Sequence, residues 1–383
     1  LLRRADRAIV TGCLDGNWRP EGTGADRIDA IAKTELLAAL RYIIKERQHQ
    51  IQTSPSAEAF TQKRPASQKN ARRTRAFVKI QDGCDAFCAY CIIPFMRPAV
   101  HSRPPGEIVE EVDRLLAAGH REIVLTGIHL GAHGRTSTQE AAPPQPGIGE
   151  DLTGLVSRLI ERPGVERLRL SSIEANEIPD DLLELMASDD RLAHHLHIPL
   201  QSGDDDVLAS MNRRYTVTEF LDVVHRIRAR LPKIGLTTDL IVGYPTETPE
   251  SFERTLETCR AAGFTRMHVF PYSPREGTAA SKLPPLPPPT VKQRAAQANR
   301  LAAELATHFH QTLIGQSLKV ITEHRRDRST GLLTGWSSEY VRVRFEGSDG
   351  LKGRLVEVKI GEADDVGVMG EAVGPDGRGG TSE

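Results

Sequence analysis

Short apolar runs alternate with stretches of helical spacing through the middle of the chain. Six runs rich in branched residues are predicted to be strands, at residues 77–81, 122–127, 167–173, 195–200, 236–243 and 267–273. The clearest helix between them begins at Pro105, a favourable first-turn residue, and ends at Gly119. Residues 218–231 and 249–262 have similar spacing. This alternation predicts an α/β fold with a parallel sheet, and six units fit a partial (β/α)6 barrel better than a complete eightfold one.

The chain on either side of this barrel has a different pattern. Residues 1–60 contain a short apolar strand, a turn and a helical stretch, which predict the last part of a truncated amino-terminal α/β domain. Residues 61–75 carry basic residues and no acid, so they are predicted to form an exposed basic linker, with a phosphate-facing strip as the alternative. The predicted order continues with the barrel at 76–290, a linking helix at 291–313, a small β-barrel at 314–375 and a disordered tail at 376–383.

Charge and composition exclude some classes of protein. Lys and Arg total 50 against 51 for Asp and Glu, so no overall field attracts nucleic acid or an anionic membrane, and a polyanion must bind to a local patch. No apolar run approaches the roughly 18 residues of a membrane helix. The predicted location is therefore cytoplasmic. Five cysteines, three of them close together, suit a metal or redox site in a reducing compartment better than a disulfide framework.

Three thiols follow the first predicted strand directly. Cys84, Cys88 and Cys91 are separated by three and two residues. A short loop of this kind can place three thiolates at three corners of a cubane and leave the fourth iron without a protein ligand. That iron can bind the amino and carboxylate groups of S-adenosylmethionine, and reduction of the cluster can then release a deoxyadenosyl radical. The prediction is a catalytic 4Fe-4S cluster held by these three cysteines.

Two other chemistries are open to the same thiols. A structural zinc site would use the three cysteines and His101, but structural zinc usually has paired cysteine knuckles and a closed fourth position. A redox dithiol would need a thioredoxin-like unit, which the flanking pattern does not resemble. The position of the loop at the mouth of a strand-helix barrel favours the iron-sulfur cluster.

The cysteine spacing resembles the signature of the radical S-adenosylmethionine superfamily, and residues 83–94 resemble the version found in methylthiotransferases. Further matching segments are VLTGIHLG at 124–131, RLSSIE at 169–174, HIPLQSG at 197–203, DLIVGYP at 239–245 and YSPR at 272–275. The resemblance extends from about residue 8 to residue 373. Within the family, residues 126–131 are most similar to the threonylcarbamoyladenosine tRNA methylthiotransferases, and the small barrel resembles a TRAM domain, an RNA-binding module.

The resemblance implies radical methylthiolation of C2 of N6-threonylcarbamoyladenosine beside the anticodon of tRNA. S-adenosylmethionine would serve as radical source and as methyl donor, and a reductant protein would supply electrons. Sulfur would pass through a second, auxiliary 4Fe-4S cluster held by three cysteines of the amino-terminal domain. Cys13 matches the last of these, and the other two are absent from this chain. The implied partners include neither DNA nor a membrane.

The resemblance also implies a set of residues that bind S-adenosylmethionine along the strand ends. These are Tyr90, Thr126, Gly127, Ser172, Glu174, Gln201, Asp239 and Gly243. Tyr90 would lie against the adenine, and Thr126 and Gly127 would meet the methionyl amino group. Capping of strand ends is an alternative explanation for Ser172, Glu174 and Gln201. Turn geometry alone would also select Gly243.

A few residues need separate treatment. His195 and His197 point to one face of a strand and could line the site, although His195 is better explained as a hydrogen-bonded core residue. Cys259 is predicted to be a buried apolar residue of a helix. The family usually has glycine and arginine where this chain has Pro98 and His101, so the loop is expected to differ in shape there.

Three alternative functions remain open. The same chemistry could act on isopentenyladenosine in tRNA or on a side chain of a ribosomal protein. From another class, the chain could be a non-catalytic RNA-binding protein with a vestigial barrel.

Overall fold

The computed structural model describes residues 74–135 and 150–374. The predictions for residues 1–60, for Cys13, for nearly all of the basic linker and for the tail at 376–383 lie outside the described residues. Among the residues that are described, no helix is long and apolar enough to cross a membrane.

The described part of the larger domain has six parallel strands and one short antiparallel strand, which follow one another in chain order. The strands are β1 (Arg75–Asp82), β2 (His101–Ser102), β3 (Glu122–Gly127), β4 (Arg167–Leu170), β5 (His195–His197), β6 (Gly235–Val242) and β7 (Arg266–Pro271). β1, β3 and β4 pair in parallel, as do β5, β6 and β7, and the short β2 pairs antiparallel with the end of β1. A parallel bridge between Ser172 and His197 joins the two sheets. The predicted partial (β/α)6 barrel is confirmed.

Helices connect or follow these strands, and all of them except the first, which has four residues, bury an apolar face. They are α1 (Ile93–Met96), α2 (Pro105–Ala117), α3 (Leu152–Ile160), α4 (Asp180–Ser188), α5 (Asp205–Ser210), α6 (Val217–Arg230), α7 (Pro249–Ala262) and α8 (Pro288–Thr312). Capping boxes that begin at Thr216 and Thr248 fix the starts of α6 and α7. Helix α8 begins three residues before the predicted start at 291, because proline is accepted in the first turn of a helix.

Two barrel strands end three residues before their predicted ends. The prediction for 195–200 fails after His197, because Pro199 has no backbone N–H for a ladder and Gln201 has a φ of 64°. The prediction for 167–173 fails after Leu170, because the backbone then turns from β3 towards β5. There the N–H of Ser171 still donates to Leu125, whereas that of Ile173 donates to His197.

Beyond α8, five strands close the small barrel. They are β8 (Ser317–Thr322), β9 (Leu333–Ser337), β10 (Arg342–Glu346), β11 (Leu355–Ala363) and β12 (Val368–Ala372), arranged in the order β10-β12-β11-β8-β9. The predicted carboxyl-terminal β-barrel is confirmed, and in two of its strands, β9 and β12, the backbone comes very close to a neighbouring strand. Each contains a glycine, Gly335 and Gly370, where a Cβ atom would come within 2.4 Å and 2.1 Å of a neighbouring carbonyl oxygen. These glycines interrupt the alternation of apolar and polar residues by which a strand is predicted.

Buried charges join the small barrel to the amino ends of the larger domain's strands. Arg167 donates to the carbonyl oxygens of Trp336 (2.8 Å) and Lys319 (2.6 Å), and Arg169 donates to those of Ser337 and Ser338. Glu122 lies between the two arginines, and Arg169 Nε donates to it at 2.7 Å. Burial acts to raise the pKa of Glu122, but Arg169 and Arg167 outweigh it and hold the pKa below its usual range. The carboxylate is therefore ionised between two cations.

Aromatic rings complete this junction. Tyr340 stacks on Trp336 with 4.7 Å between ring centroids and lies 4.6 Å from the ring of His195. The guanidinium groups of Arg75 and Arg266, at the amino ends of β1 and β7, lie within 6 Å of the Trp336 ring centroid. The small barrel therefore covers the amino ends of the strands and leaves their carboxyl ends to the cysteine loop.

Candidate active site

The cysteine loop begins where β1 ends, at the carboxyl edge of the sheet. The buried side chain of Gln81 fixes this start, because its Nε2 donates to the carbonyl oxygens of Asp82 and Gly83, both at 2.8 Å. Its Oε1 accepts the N–H of His129 at 2.7 Å and so connects the loop to the end of β3. Gly83 has a φ of 78°, and a Cβ atom there would lie 1.8 Å from the Ala99 carbonyl oxygen. Glycine is therefore required at this position.

All three predicted cluster ligands are half-buried in this loop. The Cys84 sulfur accepts the N–H of Ala86 at 3.4 Å, and the N–H of Cys91 donates to the carbonyl oxygen of Cys88 at 2.9 Å. Burial raises the pKa of the Cys91 thiol, and the nearby Cys88 and Cys84 add to this rise. Both other thiols of the loop therefore act electrostatically on Cys91.

Arg213 connects Cys88 to Glu174, one of the predicted cofactor-binding residues. Its Nη1 lies 3.5 Å from the Cys88 sulfur and 3.2 Å from Glu174 Oε1, and Nη2 pairs with Glu174 Oε2. Arg213 Nη2 also donates to the hydroxyl of Tyr215 at 2.9 Å. Burial acts to lower the pKa of Arg213, but Tyr215 and Glu174 raise it well above its ordinary value. A permanent cation therefore lies beside one thiol of the loop.

His129 plays a similar part beside Cys84. Its Nδ1 lies 3.8 Å from the Cys84 sulfur, and its Nε2 lies 2.8 Å from Glu177 Oε1. Burial acts to lower the pKa of His129, but the hydrogen bonds with Cys84 and Glu177 raise it to about 10. Sequence reasoning missed Gln81, His129, Glu177 and Arg213 as site residues, although His129 falls within a segment that was quoted for its resemblance.

Tyr90 is half-buried and packs against a small apolar cluster at the carboxyl edge of β6. The members of this cluster are Val207, Met211, Tyr244 and Ala280, with Ala89, Tyr90, Ile241 and Tyr272 packed against it. Two backbone hydrogen bonds hold Ala89 in place, from its N–H to Met211 and from the Ala280 N–H to its carbonyl oxygen. The predicted adenine-contacting residue therefore lies on a firm apolar surface next to Cys88 and Cys91.

The other predicted cofactor residues are distributed over the ends of four strands. Thr126 and Gly127 end β3, and a Cβ atom at Gly127 would come within 3.1 Å of the Gln81 side chain. Ser172 is exposed beyond β4. Asp239, on β6, lies with Oδ1 3.4 Å from His197 Nε2. The Oε1 atom of Gln201 is buried and has no hydrogen-bond partner among the described residues.

Gly243 ends β6 in a conformation that favours glycine. Its φ is 73°, and its N–H donates to Glu247 Oε2 at 2.7 Å. The same carboxylate accepts from Arg294 of α8 at 2.6 Å. A Cβ atom at position 243 would lie 2.6 and 2.8 Å from the two methyl carbons of Val291. The turn after β6 is therefore held against the helix that leads to the small barrel.

The Gly243→Ala variant is expected to be about 1–3 kcal/mol less stable, because alanine disfavours a positive φ and its methyl group would collide with Val291. We also expect a lower affinity for S-adenosylmethionine, measured by equilibrium dialysis alongside urea unfolding. The Gly243→Ala/Val291→Ala double variant should recover part of the stability. Unchanged affinity in a destabilised variant would mean that Gly243 serves the turn alone.

Three further residues have clear positions. His195 is buried and bonds Thr237 Oγ1 through Nε2 at 2.9 Å, as expected for a core residue. Cys259 is fully buried on α7, and burial raises the pKa of its thiol to about 12, which confirms its apolar role. His101 lies on β2, paired with Asp82. Within 74–135 and 150–374, no three His, Cys, Asp or Glu side chains are grouped closely enough to hold a single metal ion.

The residues of the loop fit an iron-sulfur cluster by their chemistry. Thiolates are its usual ligands, and three of them bind three different irons and need not converge on one point. The unpartnered Gln201 Oε1 and the Arg213–Glu174 pair also offer polar groups at the strand ends beside the loop. A polar cofactor such as S-adenosylmethionine is compatible with this lining.

The partial barrel with a three-cysteine loop defines a radical S-adenosylmethionine domain, and the Radical SAM superfamily matches residues 78–259. Threonylcarbamoyladenosine tRNA methylthiotransferase MtaB of Bacillus subtilis is 38% identical over 297 residues, which cover 75% of this chain and 62% of that protein. The tRNA-2-methylthio-N(6)-dimethylallyladenosine synthase of Geobacillus kaustophilus is 37% identical over 302 residues, covering 79% and 55%. The same synthase of Oceanobacillus iheyensis is 32% identical over 365 residues, covering 92% and 67%.

This chain belongs to the radical SAM methylthiotransferase family. It spans between about half and two thirds of the length of these relatives. Membership implies a 4Fe-4S cluster and S-adenosylmethionine as cofactors.

Proposed function

We propose that the chain is the catalytic and RNA-binding part of a tRNA methylthiotransferase. Its substrate is the N6-threonylcarbamoyladenosine beside the anticodon, which is methylthiolated at C2. The observation that carries the proposal is the three-thiol loop at the carboxyl edge of the barrel in a chain of this family. The preference for the threonylcarbamoyl substrate rests on residues 126–131 and on the similarity to the Bacillus subtilis protein, whereas relatives of nearly equal identity are named for dimethylallyladenosine.

In this proposal, Cys84, Cys88 and Cys91 hold the 4Fe-4S cluster. When bound, the cluster and S-adenosylmethionine supply a deoxyadenosyl radical, and a second S-adenosylmethionine supplies the methyl group. Tyr90 contacts the adenine, and Thr126 and Gly127 bind the methionyl amino group. Ser172, Glu174, Gln201, Asp239 and Gly243 bind the remaining polar atoms.

Arg213 and His129 are positioning residues in this scheme. Arg213 places a fixed cation beside Cys88 and orients the Glu174 carboxylate through two hydrogen bonds. A cation beside a thiolate lowers the energy of its charged form, which is the form that binds metal. His129 supplies the positive charge beside Cys84, and Glu177 holds the His129 ring in place through Nε2.

The proposal also covers the parts of the chain outside the barrel. Residues 1–60 are the remnant of an amino-terminal domain, joined by a basic linker to a radical SAM core at 76–290, and α8 leads to an RNA-binding barrel. Cys13 is one of three ligands of an auxiliary cluster, and the sequence has no match for the other two cysteines. A reductant protein supplies electrons, and the enzyme acts in the cytoplasm.

Mass spectrometry of the nucleosides in tRNA tests the proposal. In cells without the gene, the tRNA is expected to contain threonylcarbamoyladenosine that lacks the methylthio group. The intact gene should restore the mark, and a gene with Cys84, Cys88 and Cys91 changed to alanine should not. An unchanged nucleoside profile would overturn the proposal, and loss of the mark from dimethylallyladenosine alone would transfer the activity to that substrate.

A further inference from the structure

Two aromatic rings are exposed beside the cysteine loop. Phe87 lies between Cys84 and Cys88 and is 40% exposed, and Phe95, on α1, is 58% exposed. Their rings meet edge to face with 5.7 Å between centroids. Met96, next to them in sequence, is 70% exposed. Exposing apolar rings to water is unfavourable. An exposed aromatic pair at the rim of the candidate active site therefore indicates a ligand that covers it.

The backbone holds Phe87 outward at some cost. Its φ is 50°, a region that bulky residues rarely adopt, and its partner Asn212 has a φ of 56°. Asn212 Nδ2 donates to the Phe87 carbonyl oxygen at 2.9 Å, and Ala89 N–H donates to Met211 at 2.9 Å. Two adjacent segments therefore fix the loop in a strained conformation. Such strain is typical of positions that serve a ligand.

Two arginines accompany these rings. Arg97 follows α1 directly, its side chain is half-exposed, and its Nη1 donates to Asp82 at 2.8 Å. Arg214 is exposed, and its Nη2 donates to the carbonyl oxygen of Asp85 at 2.8 Å. A guanidinium has five N–H donors, so each arginine keeps donors that can reach a phosphate oxygen. The rim therefore combines aromatic faces with cations.

This combination suits single-stranded RNA. Unpaired bases stack on aromatic side chains with little regard to sequence, and arginines bind the adjoining phosphates. We propose that Phe87 and Phe95 form a stacking platform for an unpaired loop nucleotide next to the target adenosine, with Arg97 and Arg214 on its phosphates. The inference rests on the proposed function, because it names the residues that bind the RNA at that same site.

The test measures RNA affinity without turnover. The full chain, with its cluster reconstituted under anaerobic conditions, is titrated into a fluorescent anticodon stem-loop, and anisotropy is followed. Phe95→Leu keeps the apolar area but removes the aromatic face, so it is expected to weaken binding at least about fivefold. Phe95→Tyr keeps the face and is expected to bind like the unchanged protein. Phe87→Leu provides a second, independent variant in case α1 is disturbed, and iron content is checked in all of them.

A nucleotide-by-nucleotide comparison identifies the stacked base. Each loop nucleotide is replaced in turn by an abasic residue, and one replacement is expected to lower the affinity of the unchanged protein but not of Phe95→Leu. Such non-additivity indicates direct contact. Equal losses for Phe95→Leu and Phe95→Tyr would overturn the platform, because they would reveal a packing role.

The platform and the proposed function can fail separately. If Phe95→Leu and Phe87→Leu bind the stem-loop like the unchanged protein while tRNA is still methylthiolated, the platform is wrong and the function stands. That outcome would assign the aromatic pair to a contact with protein, either elsewhere in this chain or in a partner. Failure of the unchanged protein both to bind RNA and to modify it would remove the platform together with the function.

Discussion

Changing Cys84, Cys88 and Cys91 to alanine is expected to abolish the radical cluster. In the proposed site each thiolate binds a different iron, and alanine offers no replacement ligand, so the loop should lose about four irons per chain. Cleavage of S-adenosylmethionine to deoxyadenosine should fall to background, because this chemistry depends on the cluster. Iron and acid-labile sulfide are measured after anaerobic reconstitution, together with deoxyadenosine by liquid chromatography.

Cys259→Ala is the matched control for this experiment. Cys259 is buried on α7 and its pKa is raised to about 12, so it should contribute packing and no metal ligand. This variant should keep its full iron content and lose only a modest amount of stability. Undiminished iron in the triple variant would contradict the assignment of the loop, and a loss of iron in Cys259→Ala would contradict the choice of thiols.

Changing Glu122 to glutamine is expected to have the largest effect on stability. Arg167 and Arg169 would lose the carboxylate that lies between them while remaining almost fully buried. Removing one partner of a buried ion network typically costs roughly 3–5 kcal/mol, because the other charges are left uncompensated. Urea unfolding measures the change. The small barrel should also become more sensitive to protease, because both arginines hold its backbone carbonyls.

Asp113→Asn serves as the comparison on the surface. Asp113 pairs with Arg162 at 2.8 Å, but their side chains are 41% and 38% exposed. Solvent screens such a pair, so the loss should be much smaller than the loss in Glu122→Gln. Similar small losses in the two variants would show that the buried network contributes little to holding the domains together.

The strands and helices of the barrel could be predicted because each carries its own local pattern. Helix α7 lies where the spacing placed it, with Thr248 as its cap and a glycine in the left-handed region at Gly263. The junction with the small barrel could not be predicted in this way. Arg167 and Arg169 look like the polar positions of an ordinary exposed strand, and strands β8 and β9, which come more than 150 residues later, bury them.

The same distinction applies to the candidate site, where the local spacing could be predicted and the long-range contacts could not. The three cysteines are close in sequence, so their spacing alone indicates a common ligand. Arg213 lies 125 residues after Cys88, and His129 lies 45 residues after Cys84, so neither has a local signal that links it to a thiol. These contacts exist because parallel strands bring their carboxyl ends to one edge. Fold prediction followed by inspection of that edge could have found them.

The attachment of the small barrel beneath the amino ends sets a length that any shared ligand must bridge. β6 runs for 8 residues from Gly235, whose missing side chain accommodates the Glu339 carbonyl, towards the turn at Gly243. At about 3.3 Å per residue, the first and last residues of that strand are about 23 Å apart. An oligonucleotide that occupies only the carboxyl ends of the strands cannot contact the small barrel at their amino ends. Trimming a tRNA stepwise should therefore produce a sudden drop in affinity once the fragment becomes shorter than the depth of the strand layer.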